Sequence, residues 1–199
     1  FSLNSISSAH SGPMPVVQEG KFSSQFWFTF GSIEWGGEYP KINTQIEGWI
    51  GALPYNYSSI EVQVENSLYR YNPEKKETIH IDGGHAKFDM SQVEGELFTY
   101  GASEPITFQL FGLTEFYPFD IYMINLTISL PNFGLINETN TNVDVSSLES
   151  GLQGGRDTFS IAWDRELARL YSIIVLGRPS SVIQSFFLVM NTTYLLLGS

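Results

Sequence analysis

The stretch IYMINLTISL, residues 121–130, places Tyr122, Ile124, Leu126, Ile128 and Leu130 at every second position. Asn125, Thr127 and Ser129 fall between them. A period of two is the signature of a strand with one face on a core and the other facing outward. Asn125-Leu126-Thr127 is also an Asn-X-Thr sequon, and the alternation points its asparagine away from the core. The strand assignment and the glycan assignment therefore agree on the same residue.

Working outward, the pattern recurs. Phe22–Phe30 sets Phe22, Phe26, Phe28 and Phe30 on one face. Ile60–Glu65 alternates apolar and polar residues, as does Ile106–Leu110. Further strands are expected near Thr78–Asp82, Glu96–Tyr100, Thr158–Trp163, Tyr171–Leu176 and Val182–Leu197. One helical turn is expected at Asp164–Leu170. Loops are expected at Gly36-Gly37, Gly83-Gly84 and Gly154-Gly155, and a polar surface excursion over Pro131–Gly155. Aromatics make up 15% of the 199 residues, with many Gly and Pro breaks. That composition favours strands over helices. The expected fold is all-β, an immunoglobulin-like or jelly-roll-type β-sandwich with an extended N-terminal arm.

Charge and chemistry narrow the function. The formal net charge is −11, which disfavours nucleic acid and anionic lipid as partners. With no cysteine, disulfides and thiol catalysis are excluded. No Gly-X-Ser-X-Gly elbow and no phosphate-binding glycine loop occur. Glu34, Glu47 and Glu61 are among the acids a glycosidase pair could draw on, but nothing in one sequence fixes their separation in space. His80, Asp82 and His85 are weak metal candidates if Gly83-Gly84 folds His85 back towards His80; solvated histidines at a polar hairpin end are the plainer reading. No catalysis and no cofactor are expected.

Four sequons are present, at Asn56, Asn125, Asn137 and Asn191, against about two expected by chance. N-linked glycans and an extracellular location follow as expectations, and a start at Phe1 fits a processed chain. The opening arm FSLNSISSAHSGPMP has Phe1, Leu3 and Ile6 as apolar side chains, with no Asp, Glu, Lys or Arg through Met14. Gly12, Pro13 and Pro15 form a stiff hinge after it. Such an arm suits donor-strand complementation, in which an extended segment fills an unpaired sheet edge on a neighbour. Arm and groove differ in surface, so the contact propagates head to tail. The arm spans residues 1–17. The head spans 18–199, as one sandwich or two sub-sandwiches.

This organisation resembles the archaeal surface threads of Sulfolobus-type organisms, in which glycosylated β-sandwich subunits are joined by N-terminal donor strands. The resemblance implies a secreted structural subunit of an adhesive cell-surface filament, partnered with itself. It rests on the uncharged arm at Phe1–Ser11, the cysteine-free acidic head and the sequons. Locally, Glu115-Phe116-Tyr117-Pro118-Phe119-Asp120 resembles the Phe-Pro-Phe-Asp corner in β-sandwich ectodomains of ligand-gated channels and other membrane proteins. In those a membrane helix follows an Arg-Pro-like segment, echoed by Gly177-Arg178-Pro179; the channels' cysteine loop is absent. Three rivals follow. A carbohydrate-binding or adhesive module needs Trp35, Trp49 or Tyr57 exposed along a groove. A membrane-anchored ectodomain needs a helix near Val182–Leu197, whereas the filament reading expects no stable membrane insertion. A metal enzyme needs a centre at His80 and His85.

Overall fold

The computed structural model describes residues 23–51, 59–94, 96–112, 121–131, 140–147, 153–154, 160–164, 169–177, 185–186, 188–190 and 192. The arm at 1–17, its hinge and the Glu115–Asp120 string lie outside the described residues. Within them the protein is nearly all β, with one short helical stretch between 185 and 192. Twelve strands form one mixed sheet. They are β1 (Ser23–Glu34), β2 (Lys41–Gly51), β3 (Ser59–Asn72), β4 (Glu77–Gln92), β5 (Phe98–Ala102), β6 (Ile106–Gln109), β7 (Phe111–Gly112), β8 (Ile121–Ser129), β9 (Thr141–Ser147), β10 (Gln153–Gly154), β11 (Ser160–Asp164) and β12 (Arg169–Gly177).

The spatial order is β10-β12-β8-β3-β4-β5-β2-β1-β9, with β11 on β12, β6 on β2 and β7 on β8. All pairs are antiparallel except β1 with β9. Phe26, Phe28 and Phe30 of β1 share one core cluster with Ile60, Val62 and Val64 of β3 and with Ile124 and Ile128 of β8. Those strands are several places apart in the ladder. The sheet therefore curls so that one face closes on itself, and a single apolar interior replaces the second layer that a flat sheet would need. Short β5 makes the bend, pairing with β2 over five residues and with β4 over two.

The alternating stretches behave as their period dictates. Tyr122, Ile124, Leu126, Ile128 and Leu130 are buried, and Asn125, Thr127 and Ser129 lie on the other face, half-buried. Five points depart from expectation. First, β2 is an unanticipated strand; Ile42, Thr44, Ile46 and Ile50 follow the period, but Glu47, Gly48 and Trp49 obscure it. Second, Gly83-Gly84 is the interior of β4, not a loop. The true β3–β4 turn is Pro73–Lys76, where the Asn72 side chain accepts from the Glu74 and Lys75 amides and Lys76 takes φ 53°. Third, the polar excursion contains β9, whose Val143 is buried on the core, and Gly154 belongs to β10. Fourth, the described residues within 182–197 are helical. Thr192 Oγ1 donates to the Leu188 carbonyl four residues back, at 2.7 Å. A short apolar run has no period to choose strand over helix. Asp164, Arg169 and Leu170 are also in strands, so the helical turn expected at 164–170 is not found at those three positions.

Candidate functional site

Opposite Gly83 and Gly84 of β4 stands a single residue of β3, Asn66, because the register passes from Glu65–His85 to Ser67–Asp82. This is a β-bulge. Gly84 sits at φ +113°, and a Cβ there would lie 2.7 Å from the Thr107 carbonyl oxygen. Asn66 is fully buried yet fully used. Its Nδ2 donates to the carbonyls of Gly83 (3.3 Å) and Gln109 (2.8 Å), and its Oδ1 accepts from the Asn125 amide (3.0 Å). One side chain thus ties β3, β4, β6 and β8 together. The alternation of Ile60, Val62 and Val64 continues in phase to Asn66, so a polar residue at a core position was the available signal.

The bulge fixes the histidines. His80, Asp82 and His85 are all exposed on β4. The His80 ring packs on Tyr69 at 4.9 Å between centroids, and Asp82 Oδ1 accepts from the Gly84 amide at 2.9 Å. Because Gly83-Gly84 bulges without reversing the chain, His85 is not folded back towards His80. Among the described residues no three His, Cys, Asp or Glu side chains are placed to hold a metal ion.

The three acids fall in separate settings. Glu61 is on the outward face of β3, with its carboxylate 2.7 Å from Lys87 Nζ and accepting from Gln63 Nε2 at 2.6 Å. The Lys87 hydrogen bond, then that of Gln63, holds its carboxyl below the usual range. Glu47 is buried on β2 and accepts from Tyr100 Oη at 2.8 Å. The Tyr100 phenol is pushed up to about 12, first by burial and then by the hydrogen bond and charge of Glu47. Glu34 ends β1 at the rim of an open groove.

That groove encloses about 620 Å³ between the β1–β2 loop and the bulged part of β4. Trp35 is 49% exposed and stands on Tyr122, ring centroids 5.7 Å apart. Tyr39 meets Phe111 edge-on at 5.5 Å. Glu38, Lys41, Asp82 and Gln109 supply the polar lining. Of the aromatics named for a sugar-binding groove, Trp35 is exposed and lines this one. Trp49 is not: it is 1% exposed and packed against Phe98 at 5.9 Å. Tyr57 lies outside the described residues.

The ends of the ladder form the remaining feature. Among the described residues no strand pairs with the outer edge of β9. β10 lies near β9 without pairing to it and is two residues long against seven in β9. Of the sequons, Asn125 is described, half-buried beside Ile173 of β12; Asn56, Asn137 and Asn191 lie outside the described residues, as do Phe1, Leu3, Ile6, Gly12, Pro13 and Pro15.

Compared with known proteins, the chain matches no family model, and no curated protein is similar to it in sequence.

Proposed function

We propose that the chain is a non-catalytic structural subunit of a secreted, N-glycosylated cell-surface filament, polymerised as each N-terminal arm pairs with the neighbouring head. The observation that carries this reading is that, among the described residues, no strand pairs with the outer edge of β9. A sheet edge presents unpaired N–H and C=O groups that template another strand. β9 is seven residues long, with Val143 seated in the core beneath. Phe1, Leu3 and Ile6 are the side chains to continue that apolar surface, and backbone pairing supplies affinity along the arm. In this reading the curled sheet is an immunoglobulin-like or jelly-roll-type sandwich, and the glycans on Asn56, Asn125, Asn137 and Asn191 shield the head. Neither cofactor nor stable membrane insertion is required. Deletion of Phe1–Ser11 tests it: electron microscopy should show monomers where the full chain gives filaments, and normal filaments from the truncated chain would dismiss the arm as the link.

A second reading, a membrane-attached ectodomain, is favoured by one specific observation. The helical residues Phe186, Leu188, Val189 and Met190 are each more than half exposed. No charged residue follows Arg178. No helix among the described residues is long and apolar enough to cross a membrane, so attachment would rest on surface burial of these side chains. Retention in the membrane fraction through alkaline carbonate washing supports it; full recovery in the soluble fraction opposes it.

A further inference from the structure

We propose that the groove beside Trp35 is a binding site for a neutral saccharide. The inference is independent of whether subunits polymerise. An indole with 49% of its surface exposed above a concave floor is a platform for a flat, partly apolar ligand. The packing of Trp35 on buried Tyr122 fixes that platform before any ligand arrives. Around it the lining is rich in hydrogen-bond acceptors: the carboxylates of Glu34, Glu38 and Asp82, against one cationic donor, Lys41. Carboxylate oxygens along an open groove accept from ligand hydroxyls.

The chemistry selects among ligand classes. Three carboxylates repel phosphate and carboxylate ligands. An apolar ligand would desolvate the carboxylates of Glu34, Glu38 and Asp82 with nothing to pair them. A compact cation wants its ligands converged on one point, and among the described residues no three acidic or histidine groups converge. A quaternary ammonium wants several free aromatic faces, while the Tyr39 ring is packed on Phe111. A sugar ring matches what is left. Its C–H face covers the indole, and its hydroxyls, spread around the ring, donate to acceptors spread along the groove. The carboxylate of Asp82 is held in place by its bond to the Gly84 amide, so the bulge positions one of those acceptors.

The test titrates the intact chain with maltose, cellobiose, lactose, mannobiose and chitobiose, with tetramethylammonium as the cationic comparison. Binding is read by tryptophan fluorescence and by saturation-transfer NMR on the sugar protons. At least one disaccharide should bind, and Trp35→Ala should weaken it by about tenfold or more. Glu38→Ala, which removes an exposed acceptor of the groove, should weaken it as well. Circular dichroism checks that both variants stay folded, and if Trp35→Ala does not, Glu38→Ala decides. No binding by any disaccharide overturns the proposal. So does binding that a folded Trp35→Ala or Glu38→Ala leaves unchanged, and so does binding of tetramethylammonium alone.

Discussion

Asn66 shows what one residue contributes when polar atoms are buried. Its three hydrogen bonds reach three other strands, and water cannot replace them at full burial. Asn66→Ala leaves the Gly83 and Gln109 carbonyls and the Asn125 amide without this partner. It should cost about 2–4 kcal/mol, read as a lower urea midpoint at unchanged slope. Tyr100 gives a pH signature. Its folded pKa, about 12, lies above the ordinary phenol value of 10.0. Its contribution to stability is therefore complete below pH 10 and is lost as pH rises from there through 12. Ultraviolet titration should find one tyrosine ionising late, and Glu47→Gln should bring it back towards the ordinary value. Glu61 has the opposite sign. Its depressed pKa adds stability above the ordinary carboxyl value that fades as pH falls through the folded value, and Lys87→Ala should raise that pKa.

At the scale of elements, the β4 bulge decides most. Gly84→Ala meets both a left-handed φ and the Thr107 carbonyl, so it should cost about 2 kcal/mol or more. Gly36→Ala meets open space at ordinary φ and should stay within about 0.5 kcal/mol. Thermal melts of the two variants check the contrast. The strands most legible in the sequence were those with one wet face, β3 and β8, because water enforces a period of two. β2 was illegible because both faces of its second half are covered: Glu47 and Trp49 are buried on the side where the pattern demands polar, exposed residues. β9 was hidden in a polar stretch because an edge strand needs few apolar anchors. Gly83-Gly84 reads as a turn in any sequence; only the pairing to Asn66 shows that the strand runs through it. The Trp35 groove was half legible. Its aromatic could be named, but Asp82 and Gln109 arrive from strands whose neighbours only the sheet order reveals.

For the whole molecule, the curled sheet trades a second layer for two ladder ends that nearly meet. Closing a sheet fully abolishes edges; stopping short leaves one. Among the described residues, β9 and the short β10 lie close without pairing. The net charge of −11 opposes random sticking of such edges, so the proposed association calls for a segment that brings no charge of its own. The opening arm meets that condition. The most direct measurement adds a peptide spanning Phe1–Ser11 to the chain lacking those residues and follows amide hydrogen exchange along Thr141–Ser147. The proposed pairing predicts slowed exchange across β9 when the peptide is present. Exchange in β9 at the same rate with and without the peptide would contradict it.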